Sequence, residues 1–78
     1  MLPRDSELTV VHAVVESSLL VSVEYAGDQT LDLTFRSGSS YRYFAVPHAV
    51  VDELIAAESK GAYFNQHIRS RFPYQRLA

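Results

Sequence analysis

Residues 30–36 alternate without a break, with Leu31, Leu33 and Phe35 on one side and Thr30, Asp32, Thr34 and Arg36 on the other. A period of two marks a half-buried strand. Short turn-forming runs bound it at both ends, Ala26-Gly27-Asp28-Gln29 before and Ser37-Gly38-Ser39-Ser40 after. Ahead of the first turn, Leu19, Val21, Val23 and Tyr25 alternate with Ser18, Leu20, Ser22 and Glu24; beyond the second comes Tyr41-Arg42-Tyr43-Phe44-Ala45-Val46. Turns this short cannot carry the crossover that parallel neighbours need, so the three strands form an antiparallel meander. The valine-rich stretch from Leu8 to Val15 is expected to add a fourth.

The rhythm then changes. Pro47 suits the first turn of a helix, and Val50, Val51, Leu54 and Ile55 follow at helical spacing. Ser59 is placed to cap a second helix, which carries Phe64 and Ile68 one turn apart and stops before Pro73. The expected fold class is α+β: a three- to four-stranded antiparallel meander sheet followed by two short helices packed on one face. Residues 8–78 are read as a single domain and residues 1–7 as a disordered N-terminus.

At 78 residues, such a domain buries only about 60–65% of the surface its unfolded chain exposes, so its core is thin. There is no cysteine, hence no disulfide to reinforce it and no thiolate for zinc. The 47% hydrophobic and 12% aromatic content is too high for a disordered chain. The first residues lack the basic-then-apolar order of a secretory leader, and the apolar run Val10 to Val15, interrupted by His12, is too short to cross a bilayer. These features predict a cytoplasmic protein with no membrane partner.

Charge divides along the chain. Residues 1–58 hold all nine acids against Arg4, Arg36 and Arg42, a net −6, whereas residues 59–78 hold Lys60, Arg69, Arg71 and Arg76 with no acid, a net +4. A basic end of this kind either faces an anion or pairs with the acidic body.

Several segments together resemble the KTSC family: Glu16-Ser17-Ser18, Leu31-Asp32-Leu33-Thr34-Phe35-Arg36-Ser37-Gly38, Tyr41-Arg42-Tyr43, Val46-Pro47, Leu54-Ile55-Ala56-Ala57, Ser59-Lys60-Gly61-Ala62-Tyr63-Phe64-Asn65, His67-Ile68-Arg69 and Phe72-Pro73-Tyr74. The family is named for a domain at the carboxyl end of some lysyl-tRNA synthetases and includes small stand-alone bacterial proteins. The resemblance implies a small domain for which RNA binding has been suggested, and nothing in the residues argues for an enzyme.

Tyr41 and Tyr43 share one strand face, and the preceding loop decides which. A two-residue Ser37-Gly38 loop sets Phe35 opposite Ser40 and turns the tyrosines to the polar face, where they could stack bases. A three-residue loop, Ser37 to Ser39, pairs Phe35 with Tyr41 and Leu33 with Tyr43, and turns them to the core. The first option directs Arg42 inward, and burying an unpaired charge is expensive, so the second is favoured.

Ser59-Lys60-Gly61 opens the second helix, where free N–H groups beside Lys60 could hold a phosphate; an ordinary cap, with Gly61 allowing close helix packing, is favoured. Arg69, Arg71 and Arg76 interleave with Phe72 and Tyr74, a pattern suited to single-stranded nucleic acid, unless these aromatics simply fold back on the core. The candidate RNA- or anion-binding residues are therefore Lys60, Gly61, Arg69, Arg71, Tyr74 and Arg76, with Tyr41, Arg42, Tyr43, Asn65 and His67 secondary. No metal set, cofactor motif, small-molecule substrate or nucleophile–base pair is expected. The predicted partner is RNA or tRNA; the alternative is a protein partner or a second copy of the chain, met through the open edge of the first strand.

Overall fold

Among residues 9–78, which the computed structural model describes, five strands and two helices follow in order. They are β1 (Thr9–Val14), β2 (Leu20–Ala26), β3 (Leu31–Phe35), β4 (Ser40–Tyr43), α1 (His48–Ala56), α2 (Lys60–His67) and β5 (Tyr74–Arg76). The expected disordered stretch at residues 1–7, and the expected start of a strand at Leu8, lie outside the described residues. The sheet runs β1-β2-β3-β4-β5 with every neighbouring pair antiparallel. The α+β class, the meander and both helices are as the sequence predicts.

The strand count is higher than expected. β5 returns after the helices to pair with β4, setting Tyr74 opposite Tyr43, Gln75 opposite Arg42 and Arg76 opposite Tyr41. Bonds on either side extend the pairing: Phe44 N–H donates to the Pro73 carbonyl at 2.9 Å, and Leu77 N–H to that of Ser40 at 2.7 Å. Three residues after a proline carry no periodic signal, because the strand is held entirely by its partner.

The phase of β2 also differs from strict alternation. Leu20, Val23 and Tyr25 are the buried residues of this strand, while Val21 is only half-buried. Leu20 pairs with Phe35 but Ser22 pairs with Thr34, so Val21 is an extra residue in the ladder. That bulge shifts the alternation by one and delivers Leu20, expected on the wet side, to the core. The Ser17 hydroxyl shapes the approach, accepting from the N–H groups of Leu19 and Leu20 at 3.1 and 3.2 Å.

The β3–β4 loop has three residues, one position earlier than expected: Phe35 N–H donates to the Ser39 carbonyl at 2.8 Å, leaving Arg36-Ser37-Gly38 outside the ladder. Gly38, at φ 98°, supplies the left-handed residue such loops use. Leu33 therefore faces Tyr41, and Leu31 faces Tyr43. The pairing slides by two residues, and two is one full strand period, so the tyrosines still point to the helix side. Tyr43 is 4% exposed and Tyr41 is half-buried against the core.

Leu20, Leu31 and Leu33 from the sheet meet Val51 and Leu54 of α1, Phe64 of α2, and Ile68 just beyond it. Tyr25 crosses this core and donates its hydroxyl to the Val46 carbonyl at 2.6 Å. Pro47 is the residue before α1 rather than its first, and Ser59 caps α2 by accepting from Ala62 N–H at 3.2 Å.

Candidate ligand-binding cleft

β5 builds the most distinctive surface. Tyr74 lies 59% exposed with its ring centroid 5.6 Å from Tyr43 and 5.7 Å from Tyr41. Tyr41 touches Phe35 at 5.7 Å, and Phe64 of α2 meets both Phe35 (5.2 Å) and Tyr43 (5.7 Å). These centroid separations fall in the favourable range for aromatic pairs. Five rings from β3, β4, β5 and α2 thus form one continuous floor. Above it opens a cleft of about 610 Å³, walled by Leu19, Asn65, Arg69 and Ser70.

One cation lines this cleft and a second stands beside it. Arg69 follows α2 on its wall, its Nη1 3.5 Å from Asn65 Oδ1, at the outer limit of a hydrogen bond. The Arg76 guanidinium stands 5.9 Å from the Tyr41 ring centroid, a cation–π distance, and its Nε donates to the Ala78 carbonyl oxygen at 3.1 Å. Among the described residues, no aspartate or glutamate pairs with Lys60, Arg69, Arg71 or Arg76. The carboxylate contacts lie elsewhere: Asp32 pairs with Arg42, while Glu24 and Asp52 meet the imidazoles of His12 and His48.

The hydroxyl of Tyr43 differs from that of Tyr25. It makes no hydrogen bond among the described residues, yet no buried side-chain polar atom there is left unpaired. Its oxygen is therefore not sealed from solvent, and the residue lines the cleft. Burial pushes the Tyr43 phenol upward, the neighbouring phenols of Tyr74 and Tyr41 add to this, and the charge of Arg69 works against it. Arg69 and three phenols accordingly share one electrostatic neighbourhood.

The structure divides the residues singled out from sequence. Arg69, Tyr74, Tyr41, Tyr43 and Asn65 line the cleft, and Arg76 lies over the Tyr41 ring. Lys60 does not line it; its Nζ donates to the Ala57 carbonyl at 3.0 Å, tying α2 to the end of α1. Gly61 has a packing role, since a Cβ there would stand 3.3 Å from Leu19 Cβ. Arg71 sits exposed in the turn after α2, outside the lining. His67 stacks on Tyr63 at 4.5 Å instead of entering the cleft.

Arg42 faces the opposite side of the sheet, where its Nε and Nη2 donate to the two oxygens of Asp32 at 2.8 and 2.9 Å. It borders a smaller hollow of about 390 Å³ with Glu24, Asp28, Thr30 and Phe44. The sequence reading missed Phe35 and Phe64 as cleft residues because their spacing marks them only as core. Ser70 carries no signal at all.

Among the described residues, no group of three or more histidine, aspartate or glutamate side chains could hold a metal ion, and no helix is long and apolar enough to cross a membrane.

A family model described as the KTSC domain matches residues 16–72. A lysine–tRNA ligase from Trichormus variabilis is 44% identical over 64 residues, which are 81% of this chain and 11% of that protein. A protein from Tsukamurella paurometabola is 42% identical over 59 residues, covering 74% of this chain and 88% of that one. The crystal structure of a KTSC domain protein from Yersinia pestis superposes with a TM-score of 0.83 at 28% identity, covering 87% of this chain and 97% of its own. The chain spans about a tenth of the length of the ligases it matches, 11% and 9% for two of them.

Proposed function

The chain belongs to the KTSC domain family, and from that premise we propose that it is a non-catalytic binding module whose aromatic cleft holds single-stranded RNA. The observation that carries this reading is the aromatic cleft with Arg69 on its wall and Arg76 beside it over the Tyr41 ring, with no aspartate or glutamate partner for either cation among the described residues. Exposed rings offer faces to unpaired bases, and guanidinium groups at the rim meet the phosphates between them. Relatives named as lysine–tRNA ligases support an RNA context, and tRNA supplies single-stranded loops and ends. The reading places the chain in the cytoplasm.

Fluorescence polarisation with labelled single-stranded RNA and with tRNA, at low salt, tests the proposal. The expected result is saturable binding that weakens with salt, each phosphate contact adding roughly −0.7 to the slope of log affinity against log salt. No binding at high micromolar protein, or binding unaltered when Arg69 and Arg76 are both replaced by alanine, overturns it.

A second reading, self-association through β1, is supported by that strand's place at the end of the sheet order and by Val14, 79% exposed. Open strand edges pair readily with other chains. Light scattering over a range of concentrations tests it, and a constant monomer mass excludes it.

A further inference from the structure

We propose that the cleft admits one unstacked nucleobase and discriminates between bases, with the Tyr43 hydroxyl reading the base edge from the floor and Asn65 contacting it from the wall. This rests on the RNA reading and specifies what that site recognises.

The argument starts from the two buried tyrosines of the sheet. Both are almost fully enclosed, at 3% and 4% exposure for Tyr25 and Tyr43. The Tyr25 hydroxyl is taken up by the Val46 carbonyl, as buried polar groups normally are. That of Tyr43 has no partner among the described residues and is not sealed from solvent, and Tyr43 lines the cleft. A phenol at the bottom of an aromatic cleft has one donor and an accepting oxygen available to whatever enters. Nucleobase edges carry donors and acceptors in an order that differs from base to base, so such a group distinguishes them. Asn65 adds an amide at the wall, with its Oδ1 toward Arg69.

The remaining parts fit the same occupant. Tyr74, tilted 35° to Tyr43 and mostly exposed, offers a stacking face beside the opening. Arg69 on the wall and Arg76 over the neighbouring Tyr41 ring supply cations for the phosphates on either side of an inserted base. At about 610 Å³ the cleft has the size of a small-ligand pocket, within the roughly 300–1,000 Å³ that such sites span. A duplex cannot use it, because paired bases keep their faces inside their own stack.

The test uses the full chain and short labelled RNAs that are identical except for one central position carrying each of the four bases. Polarisation gives four dissociation constants for the wild type and for Tyr43→Phe, Asn65→Ala and the Arg69→Ala/Arg76→Ala double variant, with thermal melts reporting on folding. The wild type is expected to spread the four constants by about tenfold. Tyr43→Phe should shrink that spread by about two- to tenfold, the worth of one hydrogen bond, with the melting temperature unchanged. The arginine pair should weaken all four alike.

Wild-type binding of all four RNAs within twofold overturns base reading but leaves the RNA proposal intact, as does an undiminished spread in Tyr43→Phe. Absence of binding to any RNA overturns both.

Discussion

The two sides of the sheet at β3 and β4 are furnished with similar parts and use them oppositely. Each has a hollow, an aromatic ring and arginine. On the open side, Arg42 is committed to both oxygens of Asp32, and the Asp28 carboxylate accepts from the Thr30 backbone N–H at 3.2 Å and from its hydroxyl. On the helix side, Arg69 and Arg76 have no aspartate or glutamate partner among the described residues, and the buried Tyr43 lines the cleft. Composition is therefore a poor guide to where a ligand would bind. What matters is whether a charge has already been satisfied within the fold.

The difference can be broken most strongly at the cleft floor. Phe64→Ala removes a ring that joins α2 to Phe35 and Tyr43, and should cost about 3–5 kcal/mol in urea denaturation. Phe44→Ala on the open side, where the ring is 36% exposed, should cost about 1–2 kcal/mol. Equal costs would mean that the cleft is not the better-packed side.

Next in size is the effect on binding. Arg69→Ala with Arg76→Ala should weaken RNA about tenfold at low salt and reduce the salt slope by about 1.4, two contacts at roughly 0.7 each. Arg42→Ala should leave RNA affinity within about twofold, because its charge is already paired. Polarisation titrations distinguish the cases.

Alkaline pH probes the helix side through its phenols. Burial is the leading cause that raises Tyr25 and Tyr43 above the usual 10.0, and burial with a hydrogen bond to Glu53 takes Tyr63 to about 12. An unfolded chain ionises these groups first, so their stabilising contribution is complete below pH 10 and is lost as pH rises from there through about 12. Denaturation midpoints across this window should fall, and Tyr63→Phe should make the fall shallower.

The smallest effect sharpens the comparison from the other side. Asp32→Asn frees Arg42 at a stability cost of at most about 1 kcal/mol, since the pair is partly exposed. If satisfied charge is what silences the open face, this variant should gain weak additional RNA binding of about twofold in the same titration. No gain would mean that the aromatic floor, rather than free cations, makes the difference.

Much of the fold was legible. The unbroken alternation of residues 30–36 and the Gly-containing turns on either side specify antiparallel neighbours locally. The spacing of Val51 and Leu54, and of Phe64 and Ile68, marks the helical faces, and Ser59 caps as its position suggests. The side that Tyr41 and Tyr43 face follows from Arg42 even though the loop lies one residue earlier: an unpaired arginine is costly in the core, so Arg42 faces out.

The cleft was only partly legible. Arg69, Tyr74 and Arg76 stood out by composition, but Lys60 and Arg71 stood out equally and lie elsewhere. Nothing local separates Lys60, held by Ala57, from Arg69 on the wall.

By itself, then, the sequence determined the antiparallel meander and the α+β class, because strand period, turn length and helical spacing are properties of neighbouring residues. The tertiary structure alone decided the bulge at Val21, the return of β5 and the cleft. Each of these depends on partners distant in the chain: a ladder to β3, hydrogen bonds to β4, and rings brought together from β3, β4, α2 and β5. A three-residue strand has no signal until the strand it completes is in place.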